Sequence, residues 1–203
     1  MTTAERRTQS ERSASTRQAI LDATISCLIE DGYGGTTTTA IQERAGVSRG
    51  ALTHQYPSKN DVLAAAIVHL ASVRAQEMLD IADALPRTID PLEAGLKALW
   101  ATFKTDLFAA AVELWVASRT DEDLHSTLIE AEREIARQYH QTGSVMFGVH
   151  ANQPGFEKGM ESVVTHMRGA ALTAILRRSF RDTHTIAECH AIMRAALASS
   201  NES

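Results

Sequence analysis

"AGVSRGALTHQYPSK", residues 45–59, decides how this chain reads. It has the length and apolar spacing of one short helix. Ser48 is a good N-cap for a helix of about 49–55, with Leu52 pointing inward and Pro57 breaking it. Two features sit badly in so short a helix. Gly50 lies near its start, where glycine costs about 1 kcal/mol against alanine. Thr53-His54-Gln55, a polar run, lies near its end. Both make sense if the outer face of this helix meets something other than its own chain.

The flanks extend the pattern. Ser58 with Asp61 predicts the cap of a long helix, about 59–84. Upstream, the threonine run 36–39 offers N-caps for a helix of about 38–45. Its inner face carries Ile41 and Ala45, and Gly46 makes the turn. Before that, Ser15 and Gln18 have the spacing of a capping box. A stripe of Ile20, Leu21, Ile25, Leu28 and Ile29 follows, closed at "EDGYGG" by Gly32.

The remainder is helical as well. Asp90-Pro91-Leu92-Glu93 is a start signal, with Leu92, Leu96, Leu99, Trp100 and Phe103 on one side. "FKTD" interrupts the pattern. An alanine-rich helix over about 107–118 carries Leu114 and Trp115. Thr120, followed by Asp121, Glu122 and Asp123, opens a longer helix ending near Gly148. "VHANQPG" reads as a loop. Two more helices follow over about 156–180 and 186–198, the last capped by Thr185 and Glu188. No alternating strand pattern persists. The expected fold is all-α.

Bulk properties narrow the function. The chain has 203 residues, enough for a sizeable core. No run approaches the roughly 18 apolar residues of a membrane span. The N-terminus is polar and lacks an apolar leader, so a cytoplasmic location is expected. Cys27 and Cys189 read as two buried thiols in a reducing compartment. The net charge of −5 argues against a uniformly basic nucleic-acid binder. Its distribution is uneven. Residues 1–60 hold seven Lys/Arg against six Asp/Glu, while the rest of the chain holds 13 against 19. A slightly basic head on an acidic body suits local contact with DNA. Catalysis has little support. No nucleophile–base pair has convincing spacing, no H-E-x-x-H is present, and no glycine-rich phosphate loop follows a strand. No metal ligand set or cofactor motif is found either.

Two short helices joined by a tight glycine turn, after a longer helix, describe a helix-turn-helix. Ile41, Ala45, Val47 and Leu52 can pack beneath Gly46 and fix the interhelical angle. The third helix then keeps an outer face for the major groove.

At this point the chain resembles the TetR-type transcriptional regulators. The matching residues are Gly32-Tyr33, Thr36-Thr37, Ile41, Ala45-Gly46-Val47-Ser48, Gly50, Leu52, Tyr56 and Pro57-Ser58-Lys59. The match spans about 45 residues in fixed order; the rest agrees in length and helical character. The chain departs from the family at Ala40, Gln42, Thr53 and Gln55, and the last two touch the operator sequence that would be read. The resemblance implies a three-helix DNA-binding domain with an N-terminal arm over 1–58. It implies a helical ligand-binding and dimerisation domain over 59–203, and about nine helices in all.

Residue roles follow from that resemblance and from side-chain chemistry. Thr37, Thr38 and Ser48, near helix starts, suit phosphate. Arg49, Thr53 and His54 are candidate groove readers, with Gly50 allowing close approach to phosphate or to the preceding helix. Tyr56 and Lys59 resemble backbone-phosphate contacts. The arginine-bearing tail before residue 17 is a candidate arm along a neighbouring groove. The implied ligand cavity would draw on His69, Trp100, Phe103, Phe108, Trp115, His125, Tyr139 and His166, and would take a small, largely apolar molecule. Met167, Ala171, Ala174 and Ile175, with Ile192, Met193 and Leu197, are the expected contact with a second copy. The expected function is a repressor, released from a palindromic double-stranded operator by a small-molecule inducer. An activator, or a regulator without a small ligand, stays open at this stage, as does a small helical enzyme.

Overall fold

The computed structural model describes residues 9–84 and 90–199, except the side chains at 74, 78, 81–84 and 144. Arg6 and Arg7, part of the expected arm, lie outside the described residues. Among the described residues there are nine α-helices, one 3-10 turn and no strand. The helices are α1 (Gln9–Gly35), α2 (Thr38–Ala45), α3 (Arg49–Gln55), α4 (Lys59–Ala84), α5 (Pro91–Phe103), α6 (Asp106–Ala117), α7 (Glu122–Met146), α8 (Phe156–Arg177) and α9 (Asp182–Ser199). The chain forms two compact units. One comprises Met1–Leu70 with Ala110–Arg133, the other Ala71–Ala109 with Glu134–Ser203. No described helix is long and apolar enough to cross a membrane.

In the first unit, local signals set α2 and α3. The Thr37 hydroxyl oxygen accepts from the Ala40 N–H at 3.1 Å, and Ser48 Oγ accepts from the Ala51 N–H at 3.2 Å. Between them Gly46 takes a left-handed conformation, φ 65° and ψ 32°. There a side chain would be strained, and glycine is not. The Val47 N–H then closes on the Gln42 carbonyl at 3.1 Å. Ile20, Leu21 and Cys27 of α1, Ile41 of α2, Leu52 of α3, Tyr56, and Val62 and Ala66 of α4 form one buried cluster. Ala45 and Val47 pack on its edge, as the glycine turn requires.

α1 begins six residues ahead of Ser15, so the expected capping box lies inside the helix. Gln18 does not turn back on Ser15. Its amide reaches the Asp22 carboxylate at 2.8 Å and the His69 ring at 2.9 Å. The added turns are tied down from outside α1, where Gln55 donates to Ser13 Oγ at 3.0 Å. Such a bond, 42 residues apart in sequence, has no local signature. α7 is capped by Asp121 rather than Thr120, with its carboxylate accepting from the Leu124 N–H at 2.9 Å.

In the second unit, α5 starts where expected, with Asp90 Oδ1 accepting from the Leu92 N–H at 3.0 Å. Its apolar stripe Leu92, Leu96, Leu99, Trp100 and Phe103 is buried. The expected loop at 149–155 overlaps a 3-10 turn, Gly148–Asn152. α9 begins at Asp182, ahead of the predicted start, and Thr185 is buried inside the helix instead of capping it. The cause is tertiary. Asp182 accepts from Trp100 Nε1 at 2.8 Å and from Lys104 Nζ at 2.7 Å. α8 and α9 pack closely through Gly159, where a Cβ would stand 2.8 Å from Met193 Sδ.

Candidate nucleic-acid interface

The outer face of the α2–α3 pair is polar and open. Thr37, Thr38, Ser48, Arg49, Gly50, Thr53 and His54 are all exposed. Thr37 and Ser48 use lone pairs for capping, which leaves each hydroxyl hydrogen free to donate to a phosphate. Thr53 instead donates its hydroxyl to the Arg49 carbonyl at 2.9 Å. It therefore offers outward a methyl group and acceptor lone pairs, which suit a thymine methyl or a base amino group. The remaining candidate readers on α3, Arg49 and His54, are solvated there.

Gly50 has room around it. A Cβ there would meet nothing nearer than Ser48 Oγ at 3.9 Å. Its backbone is not in the left-handed region. Nothing inside the chain requires a glycine, so packing against the preceding helix does not explain it.

Two expected phosphate contacts are placed differently. Tyr56 is only 6% exposed, with its ring in the core cluster. Its hydroxyl accepts from Arg17 Nε at 3.2 Å. Arg17 is thereby drawn to the rim of the interface, which the sequence pattern of α1 did not show. Lys59 Nζ donates to the Tyr33 carbonyl at 3.0 Å and lies 4.1 Å from the Tyr33 ring centre. Burial holds its pKa below the ordinary lysine value, opposed by the Asp121 carboxylate. Gln42, a departure noted above, buries a side-chain oxygen that has no partner among the described residues.

Residues 20–66 match the family described as bacterial regulatory proteins, tetR family. Over 145 residues the chain is 30% identical to an uncharacterised HTH-type transcriptional regulator of Mycobacterium tuberculosis, covering 71% of this chain and 74% of that one. The chain belongs to the TetR family of transcriptional regulators. Two solved structures share its fold. A TetR transcription regulator from Haloarcula marismortui aligns over 91% of this chain and 99% of that chain, with TM-score 0.65 and 21% identity. The multidrug binding protein EbrR, complexed with imidazole, aligns over 87% and 93%, with TM-score 0.62 and 17% identity. The Mycobacterium tuberculosis and Haloarcula marismortui proteins are both described as transcriptional regulators. Among the described residues no group of three His, Cys, Asp or Glu could hold a metal ion.

In this TetR-family regulator the other expected site residues belong to both compact units. His125 is exposed on α7. His69 is tied to Gln18, and Trp115 Nε1 donates to Glu132 at 3.1 Å; all four lie in the first unit. In the second unit Trp100, Phe103 and Phe108 are buried together, with Phe103 and Phe108 edge to face at 5.3 Å. Tyr139 is half-buried on α7. Trp100 and His166 line one cleft of the second unit. It has a volume of about 360 Å³ and runs between α8 and α9, past Gly169, Ala170, Thr173, Arg177 and Arg181. Glu188 holds two histidines there, His166 at 3.0 Å and His184 at 3.1 Å.

The residues expected to meet a second copy divide between the inside and the outside of the second unit. Met167, Ala171, Ala174 and Met193 are buried against the regulator's own helices. The apolar stripe was real, but a helix has several neighbours and these four face inward. Ile192 and Leu197 are half-buried and Ile175 is exposed. Leu172 at 44% and Leu176 at 86% exposure are the outward residues the sequence reading missed. Their spacing of four, with Thr165 and Gly169 in the same row, was the available signal.

Proposed function

We propose that this regulator is a repressor that binds a palindromic operator in double-stranded DNA as a homodimer and leaves it when a small, largely apolar molecule binds. Residues 1–58 serve as the reading region, and 59–203 carry ligand binding and dimerisation. The observation that carries this is the outer face of α3, where Arg49, Thr53 and His54 stand exposed beside an unobstructed Gly50 backbone. A helix so furnished fits the major groove, with its N-terminus and capping hydroxyls on phosphate.

Support for the second copy comes from α8. Leu172, Ile175 and Leu176 are exposed beside the small residues Gly169 and Ala170 along the α8–α9 cleft. Small residues admit close approach of another helix pair, and the neighbouring leucines would gain about 25 cal/mol per Å² on being covered. Two-fold symmetry then implies two half-sites about one helical turn of DNA apart, or a multiple of it. Support for the ligand response is the similarity in fold to EbrR, a protein solved with imidazole bound.

Titration of labelled promoter DNA tests the reading. Binding should depend on sequence and weaken steeply with salt. Absence of both properties would remove the DNA-binding assignment. In a strain lacking the gene, transcription of the target should rise. A fall would contradict repression.

A further inference from the structure

Tyr33 uses each of its polar groups on a different helix. Its N–H donates to Glu113 Oε2 of α6 at 3.0 Å. Its carbonyl accepts from Lys59 Nζ at the start of α4 at 3.0 Å. Its hydroxyl donates to Asp121 Oδ2 at 3.4 Å, and that carboxylate caps α7 through its other oxygen. All of these residues lie within the first compact unit.

The preceding residue makes this convergence possible. Gly32 kinks α1 at φ 66° and ψ −176°, and the Tyr33 N–H just after the kink bonds outside the helix, to Glu113. A Cβ at Gly32 would lie 2.7 Å from Glu113 Oε2, so only glycine lets the carboxylate approach. The Gly32 carbonyl then fixes the next element. It accepts from the Thr36 N–H at 3.1 Å and from the Thr36 hydroxyl at 2.7 Å. Thr36 is fully buried, and Thr37 beside it caps α2. A short run of bonds thus leads from α6, through one peptide, to the start of the helix-turn-helix.

We propose that Tyr33 is the joint that sets the pose of the reading head, and that Glu113 and Asp121 are positioning residues for operator binding, although neither lies on the α2–α3 face. The inference rests on the DNA-binding reading of 1–58. It deepens that reading by naming what holds the head in its binding pose. The joint also gives Lys59 a purpose apart from phosphate, since its ammonium fastens α4 to the next peptide, through the Tyr33 carbonyl.

The test uses the full chain and a duplex selected by the wild type from a random pool. Affinity is read by fluorescence anisotropy at several salt concentrations, well below the unfolding temperature. Glu113→Ala should bind about 5-fold or more weakly, the lower range of site-to-site coupling. The salt slope should stay the same, because no phosphate contact is lost. The sign is diagnostic. Removing a carboxylate near DNA would by charge alone tighten binding. Glu113→Gln, which keeps an oxygen acceptor at the same place, should recover most of the loss. Glu113→Ala affinity within twofold of wild type, or tighter, would overturn the proposal. So would a shallower salt slope. If Glu113→Ala does not fold, Tyr33→Phe decides, because it loses only the hydroxyl bond to Asp121. Weaker binding at an unchanged slope supports the joint, and wild-type affinity refutes it. Failure of the wild type to select any duplex would instead remove the DNA reading, and the joint with it.

Discussion

Gly50→Ala separates what α3 needs in the free protein from what it needs on DNA. In the free protein the added methyl group has space, since its nearest neighbour would be Ser48 Oγ at 3.9 Å. Replacing glycine by alanine there should stabilise the helix by about 0.5–1 kcal/mol, through propensity and a less flexible unfolded chain. For a chain of this size that raises the melting temperature by roughly 1–4 °C. On DNA the sign reverses if the Gly50 backbone lies against phosphate, because the methyl group then holds the helix off. A lost contact of about 1.4 kcal/mol is a tenfold loss of affinity. The assays are a thermal melt and an anisotropy titration of the same preparation. The expected pair of results is a higher melting temperature with weaker binding. A lower melting temperature would show that the space around Gly50 is not open. A raised melting temperature with wild-type affinity would refute the idea that the glycine is kept for close approach to DNA.

Three residues of the second unit give further outcomes. Asp182→Ala strands the nearly buried Trp100 indole N–H, at a cost of about 1–3 kcal/mol, read as a lower denaturant midpoint. In the wild type the bonds from Lys104 and then Trp100 hold the Asp182 carboxyl below its ordinary value of 3.8. That contribution is complete above 3.8 and lost as pH falls through the depressed value, so Asp182→Ala should narrow its stability gap to wild type on acidification. Cys189 is fully buried, and desolvation, with the neighbouring Glu188 charge, pushes its thiol up to about 11. It should resist iodoacetamide at neutral pH until the chain unfolds, and rapid labelling of the native protein at Cys189 by mass spectrometry would contradict that burial. Gly95→Ala places a Cβ 2.4 Å from the Phe147 ring, within the packed core. Overpacking of this kind costs about 1–3 kcal/mol, and an unchanged melting temperature would mean that Phe147 moves freely.

The helix-turn-helix was legible because its signals act over three or four residues. Thr37 to Ala40, Ser48 to Ala51 and Ser58 to Asp61 are bonds between near neighbours, and Gly46 needs only its own backbone freedom. Sequence therefore determined the bounds of α2, α3 and α4, the inward direction of Ile41 and Leu52, and the polar outer face of α3. Partners distant in the chain settled the rest. Tyr56 turned inward onto a cluster drawn from four helices, and Lys59 was taken up by a carbonyl 26 residues away. α9 starts early because an indole and an ammonium around 80 residues upstream hold Asp182. On α8 the periodicity identified an apolar stripe, but only packing decided that Met167 and Ala171 face the regulator's own core while Leu172 and Leu176 do not. A local hydrogen bond is specified by the residues that make it. A buried face is specified only by whichever helix comes to cover it.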